Sequence, residues 1–569
     1  MRKRAVLILV LSLLLSLLLP VWSSAASVED QGGYIRVGLA HDGSSQTASL
    51  TAANLANAQG SGYRFGWLDS QGNFTQVGYT GETEITMLKT KVLYQSGSTY
   101  TDTKPSGSAN VIGVYHLELD TVYASFEEAR TAAEAIGGFP AWIEGEWRAR
   151  WGSFADMSDA SAAEAQVEAM GQGGATVKWT TSNGVNIVAT GSADILFQFD
   201  GGAEINLAVK PGLDDGVEAV TWFKGYQYKG MFQYIRNGAN GNLTVVNWVP
   251  LETYVKGVIP YEMNGGWAVE ALKAQAVCAR TYAARGTNRH GSLGFDLCCT
   301  THCQVYHGMG SSKTGPTANS DRAVEETAGI CAWYQGAYAE TYYYSSNGGA
   351  TESAGNVWRS NLPYLVGKED PYEAYLADQI PSYRWSYTFT GEELARKLEA
   401  KSSGYVTGGK VTDFYVAEYT PSGNVYKVTF VCVNGKTYSF SKEDARTILG
   451  VSRSSMHYTI TGGSSVASSG IYINNGDNSL ATVNGLYAAD GDGKSSALSG
   501  TPYVITGDGV ETLNPTTQTG SGGDGTFIVT GSGWGHNVGM SQWGAYSMAL
   551  QGFTYDEILR FYYTGIELY

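Results

Sequence analysis

Val249-Pro250-Leu251-Glu252-Thr253-Tyr254-Val255-Lys256-Gly257-Val258-Ile259-Pro260-Tyr261-Glu262-Met263 is the stretch on which the fold turns. Before it, Tyr226 to Phe232 and Leu243-Thr244-Val245-Val246-Asn247 are β-branched and aromatic runs that read as strands. After it, Trp267 to Arg285 reads as a helix, with alanine recurring at 268, 271, 276, 279 and 283. So many small side chains let another element pack close. Strands that feed a helix, in a chain holding both kinds of segment throughout, define an α+β class, mixed and β-rich.

Working outward, residues 33–105 alternate apolar and polar, as in Tyr34-Ile35-Arg36-Val37-Gly38-Leu39 and Tyr63-Arg64-Phe65-Gly66-Trp67, and predict short antiparallel strands across a β-rich region, 30–105. The Ser/Gly/Thr-rich residues 95–109 read as a linker. The period then changes. Val114 to Leu119 reads as a strand, and Ser125-x-x-Glu128 is a capping box opening an Ala-rich helix that stops at Gly137-Gly138. Phe139 to Ile143 and Glu146 to Gly152 read as two strands, Ser158 to Met170 as a second helix, and a last strand falls near Val177. This β-α-β-β-α-β order over 110–182 predicts a ferredoxin-like split module. Through Tyr115-His116-Leu117-Glu118-Leu119, Phe126-Glu127-Glu128-Ala129 and Trp147 to Phe154 it resembles a SPOR domain, which implies binding of glycan lacking stem peptides; an unrelated α+β spacer fits the same pattern.

At the amino end, Arg2, Lys3 and Arg4 precede an apolar run from Ala5 to Leu19, Pro20 ends it, and Ser24-x-Ala26 offers small residues for cleavage. That order is a secretory signal over residues 1–26, which predicts a secreted or envelope-associated protein outside the cytoplasm. The competing reading is an uncleaved anchor, for which a core of about 15 residues is short against roughly 20 for a span. With 53 acidic against 37 basic residues, a formal charge of −16, nucleic acid is excluded as a partner for want of a basic face. The 38 Tyr and 14 Trp suit stacking on sugar rings, or simply fill β cores.

From residue 190 onward the motifs become specific. Pro250-Leu251-Glu252, Gly257-Val258, Glu262-Met263, Ala271-Leu272-Lys273-Ala274-Gln275-Ala276, Tyr343 to Gly349, Trp534-Gly535-His536 and Val538 to Ala545 together resemble the SpoIID/LytB family, in a domain over 190–569. A Ser-, Gly-, Asp- and Thr-rich insertion at about 464–526 interrupts it, read as a β-rich insertion or flap. The resemblance implies a peptidoglycan lytic transglycosylase, active in sporulation or wall turnover, that cuts the bond between N-acetylmuramic acid and N-acetylglucosamine, with Glu262 as general acid and base. The LytB side of the family implies instead a non-catalytic glycan binder that modifies a cell-wall amidase. Either way the implied partners are peptidoglycan glycan strands. Glu262 precedes the Trp267 helix, whose positive end favours the charged carboxylate, while burial beside Tyr261, Met263 and Trp267 favours the neutral acid; both influences stay open. Glu252 reads as a structural partner. Ser345, Ser346, Asn347, Gly348 and Gly349 are expected to line substrate, with His536 and Gln542 as further contacts. Asn537 stands where the family usually has glycine, a position it can occupy in a left-handed conformation.

Cys298-Cys299-Thr300-Thr301-His302-Cys303, with His290 before and His307 after, concentrates ligand-type residues in a chain with six Cys and seven His. The resemblance implies a structural zinc on His290, Cys298, His302 and Cys303, with Cys299 clouding which of the adjacent pair binds. A disulfide from Cys298 or Cys299 to Cys303 is the rival in an oxidising compartment. Cys278, Cys331 and Cys432 read as core.

Overall fold

The computed structural model describes residues 27–43, 47–171, 174–213, 216–236, 241–381, 383–462 and 525–569, with the backbone of six short strands between Tyr472 and Thr512. The expected signal over residues 1–26 lies outside the described residues. Among the described residues no helix is long and apolar enough to cross a membrane. The chain is a strand-rich mixture of helix and sheet, an α+β protein. It forms two compact units, the first reaching to Tyr342 with Ala549–Arg560 and Gly565–Tyr569, the second holding Tyr343–Met548 with Phe561–Thr564.

The first unit is built on two large sheets. One has seven strands in the order Leu297–Cys298, Tyr34–Ala40, Leu243–Pro250, Met231–Arg236, Leu207–Pro211, Tyr63–Leu68, Phe74–Thr80. Tyr34–Ala40 is thus an inner strand. It runs antiparallel to Leu243–Pro250, with Val37 opposite Asn247, and parallel to Leu297–Cys298. The other sheet has ten strands drawn from residues 52–89, 115–179 and 185–228. The stretches read as separate spans at 30–105, 110–182 and from 190 onward therefore share sheets, because strand pairing joins backbone groups whatever their separation along the chain.

Residues 115–179 follow the β-α-β-β-α-β order. Their strands lie in the sequence Ala175–Trp179, Tyr115–Leu119, Glu146–Phe154, Phe139–Ile143, antiparallel throughout. Ser125 caps the helix Phe126–Ala135 by accepting from Glu128 N–H, and Gly137 follows its end with φ of 64°. The second helix is broken at Ala163 into Met157–Ala162 and Glu164–Ala169. Leu117, Leu119 and Ala149 pack with Ala133, Ile136 and Val167 on one face. The other face is also closed. His116, Glu118, Arg150 and Gln198 are buried there, with Arg150 donating to Glu118 at 2.8 and 2.6 Å and Gln198 donating to Asn186 at 2.6 Å. Phe139, on that face, packs with Leu93, Tyr100 and Ile112. These belong to a three-stranded sheet, Leu93–Ser96, Thr99–Thr101 and Asn110–Ile112, that occupies the stretch expected as a linker. Leu93, Tyr100 and Ile112, one from each strand, bury apolar surface together and hold it down.

In the second unit, Arg384–Thr390, Thr526–Ser532 and Tyr458–Gly462 form one sheet, and Val411–Tyr419, Val425–Cys432 and Thr437–Ser441 another. Both share a core of Phe389, Leu394, Leu398, Phe414, Phe430, Phe527 and Val529 with the helix Gly391–Lys401. A capping box between Thr390 and Glu393 starts that helix. The insertion joins two paired strands, since Gly462 lies opposite Phe527. Within it the backbone makes three hairpins, Tyr472–Asn474 with Leu480–Thr482, Tyr487–Ala489 with Ser495–Ala497, and Tyr503–Thr506 with Gly509–Thr512; the rest lies outside the described residues.

Candidate functional site

The run from Leu251 to Glu262 is itself a helix, which the sequence reading did not foresee. Tyr254, Val255, Val258 and Ile259 are buried at helical spacing, and Pro250 sits at the N-cap, where its missing N–H costs nothing. Glu262 is the last residue of this helix, and the Ala-rich helix starts only at Val269. The helix dipole at Glu262 is therefore the reverse of the one expected from the Trp267 helix: the carbonyl end of its own helix disfavours a charge there. A backbone contact opposes that, with Val305 N–H donating to Glu262 Oε1 at 3.2 Å. Gly257 makes this contact possible. A Cβ there would lie 2.6 Å from the Tyr306 ring and 2.8 Å from Gly308 O, so only glycine lets residues 306–308 cross so near the helix. Glu262 is half-buried.

Aromatic rings gather next to it. Tyr226 and His307 stack with centroids 4.1 Å apart, and Tyr261 meets His307 edge-on at 4.7 Å while its hydroxyl donates to Thr314 O. Burial lowers the His307 pKa and favours a neutral ring. In the sequence His307 stands only as a flank of the cysteine cluster. Glu252 is locked by the fully buried Arg280, which donates Nε to Oε1 at 2.8 Å and Nη2 to Oε2 at 2.7 Å, and also reaches Ile330 O and Val324 O. This fork-to-fork pair makes Glu252 a fixed strut.

His290, Cys298, His302 and Cys303 come together, with their four ligand atoms all within 4.8 Å of one another. His290 Nε2 lies 3.3 Å from Cys303 Sγ, and His302 Nδ1 lies 3.7 Å from Cys298 Sγ and 3.6 Å from Cys303 Sγ. A tetrahedral zinc with ordinary bond lengths sets ligand atoms about 3.3–3.8 Å apart, so the donor set fits that ion. The contact between the two sulfurs, ahead of hydrogen bonds from Thr300 and His302, draws the Cys298 pKa down and pushes that of Cys303 up. Cys299 faces elsewhere, its sulfur 3.9 Å from Leu39 O, and none of the six cysteines is disulfide-bonded. His41 approaches the same cluster, its ring 6.2 Å from that of His290. Nothing in the spacing of the sequence pointed to it.

In the second unit the Ser345–Gly349 turn is mostly committed to its own support. Glu373, buried, accepts from Ser346 Oγ, Asn347 N–H, Gly348 N–H and Ser541 Oγ, between 2.5 and 2.9 Å. Asn347 Nδ2 donates to Asp370. Gly348 has φ of 76°, and a Cβ there would meet Ser532 O at 2.4 Å. Asn537 has φ of 64° and its side chain donates to Asn347 O and Ala350 O. His536 is held from inside: Nδ1 accepts from Val538 N–H, Tyr344 and Trp358 flank the ring at 5.2 and 5.0 Å, and burial pushes its pKa down to about 3. Gln542 is buried at the start of its helix. Ser345 remains open. With Ile380, Pro381, Arg453, Trp534 and Trp543 it lines a cavity of about 120 Å³.

A family model described as Stage II sporulation protein, SpoIID, matches residues 239–334, the segment holding Glu262 and the cysteine–histidine cluster. The chain belongs to the SpoIID family. It is 32% identical over 345 residues to an uncharacterised protein of Brachyspira hyodysenteriae, covering 60% of this chain and 73% of that one. It is 30% identical over 351 residues to the amidase enhancer of Bacillus subtilis, covering 60% of this chain and 44% of the relative. To stage II sporulation protein D of Bacillus subtilis it is 29% identical over 341 residues, 58% of this chain and 76% of the relative.

Proposed function

We propose that the protein remodels cell-wall peptidoglycan as a lytic transglycosylase, with Glu262 as general acid and base. The observation that carries this is the position of Glu262, a half-buried carboxyl at a helix end inside the matched family segment, with one oxygen held by a backbone N–H. The protonated carboxyl gives its proton to the glycosidic oxygen as the bond to muramyl C1 breaks and N-acetylglucosamine leaves. The resulting carboxylate takes the proton of the muramyl 6-hydroxyl as O6 bonds to C1, closing a 1,6-anhydro ring and restoring the acid. No water is consumed and one carboxyl serves both steps, so the locked Glu252 is not required.

Zinc held by His290, Cys298, His302 and Cys303 would be structural, since four protein ligands leave no open position; it would brace the turn that leads to Val305. The order of charge, apolar core and small residues in 1–26 supports export, so the site of action is the cell envelope. A second reading is a non-catalytic glycan binder that stimulates a cell-wall amidase, supported by the relative named amidase enhancer. One experiment separates them. Purified glycan strands incubated with the protein should yield 1,6-anhydromuramyl ends by mass spectrometry, and Glu262→Gln should lower their rate at least about 1,000-fold while strand binding persists. Binding without such ends would sink the enzymatic reading, and full turnover by Glu262→Gln would move the acid elsewhere.

A further inference from the structure

The cavity of about 120 Å³ in the second unit is chemically unlike the rest of this acidic chain. Its one cation, Arg453, has no carboxylate partner among the described residues. The guanidinium lies over Trp534, 4.9 Å from the ring centroid, and Nη1 donates to Pro381 O. Those two contacts fix the fork without neutralising it, and leave Nε and Nη2 without a protein acceptor among the described residues. Trp534 is 46% exposed. Its place is built, not incidental: its backbone bridges to Ser346 in both directions, at 3.1 and 2.7 Å, and Gly533 and Gly535 on either side adopt φ of 83° and 138°. A Cβ at Gly535 would strike the Tyr344 side chain at 2.6 Å. Trp543 forms the other aromatic wall, tied by its N–H to Ser345 O, and the Ser345 hydroxyl has no protein partner among the described residues.

A fixed, unpaired guanidinium over one indole, with a second indole and a free hydroxyl lining the same cavity, matches a ring with an apolar face and an attached carboxylate. The volume admits only the carboxylate-bearing edge of such a unit, the rest of the strand lying outside it, since pockets that enclose a whole ligand run from roughly 300 Å³. A chain of net negative charge does not gather anions in general, so the single cation selects by contact. We propose that this cavity is a subsite for a carboxylate-bearing muramyl unit of the glycan, with Arg453 pairing to the carboxylate and Trp534 and Trp543 receiving the apolar face. This rests on the peptidoglycan reading above, but not on turnover. The carboxylate has two sources, the lactyl group exposed when stem peptides are absent, or the stem peptide itself.

The test measures binding by the full chain, through tryptophan fluorescence quenching, to three preparations: peptide-free glycan strands, the same strands with their carboxyls reduced to alcohols, and strands still carrying stem peptides. The expected result is about tenfold tighter binding of a carboxylate-bearing preparation over the reduced strands. Preference for the peptide-free strands assigns the lactyl carboxylate, and preference for the intact strands assigns the peptide. Arg453→Gln should abolish the preference while keeping the parent's Tm, which shows that the variant is folded; Arg453→Lys should keep part of the preference. Equal binding of reduced and unreduced strands overturns the subsite alone, as does an Arg453→Gln variant with unchanged preference. Failure to bind any strand overturns both the subsite and the peptidoglycan reading.

Discussion

The cysteine pair shows what one residue's direction decides. Cys298 pairs through Leu297–Cys298 with the strand Tyr34–Ala40, and strand alternation turns its sulfur to the histidines while Cys299 faces Leu39 O. The density of Cys and His was legible as a cluster, but not which neighbour faces the histidines, because that depends on pairing with a strand far away in the chain. Metal removal tests the assignment. A strong chelator should release about one zinc per chain and lower the Tm by several degrees, and Cys298→Ser or Cys303→Ser should start from the lowered value and ignore the chelator. Cys299→Ser should behave like the parent protein. A Tm that falls with a thiol reductant and not with the chelator would favour the disulfide instead.

At the scale of elements, the helix Leu251–Glu262 was hidden by its own composition. Val255, Val258 and Ile259 carry strand propensity, Gly257 and Pro260 break helices, and only the spacing of the buried residues speaks for a helix. Propensity lost because Gly257 is needed for close approach to residues 306–308. The sheet of residues 115–179 was legible in its order, since period and capping agree there, but not in its burial. Polar side chains on one of its faces, His116, Glu118 and Arg150 among them, are enclosed. His116 is the sharpest case: Nδ1–H donates to Gly152 O at 2.8 Å, and burial first, then the Arg150 charge, push its pKa down to about 3 from an ordinary 6.5. The folded ring thus stays neutral where the unfolded one takes a proton. Its contribution is whole above pH 6.5 and is lost as pH falls towards 3, at about 1.4 kcal/mol per pH unit within that window. Urea unfolding at pH 7 and pH 5 should show the loss, and His116→Gln should flatten the slope by about one proton; an unchanged slope would assign the acid sensitivity to other groups.

For the whole molecule, the class of fold was readable from alternating segments, whereas the grouping of strands was not. Composition marks where a strand begins and ends but carries little about which distant strand it joins. Truncation measures the consequence. A chain limited to residues 190–569 lacks Tyr34–Ala40, and so leaves Leu243–Pro250 and Leu297–Cys298 without the strand that joins them. It should be insoluble or should unfold without a cooperative transition in denaturant, whereas residues 27–569 should unfold cooperatively; a stable, sharply melting 190–569 fragment would mean that this part closes its sheet by other means. The same inner strand imposes an order in time. Tyr34–Ala40 leaves the ribosome early and must wait, unpaired, until Asn247 has been made before its ladder can form, so the growing chain holds an unmatched apolar strand through much of its synthesis. Closing a sheet across so long a loop is slow, and delay in an unfolded state is a hazard for a protein that finishes in the cytosol. For one threaded through a membrane before it folds, the same delay is an asset, because the strand that would lock the chain too soon has nothing to lock onto.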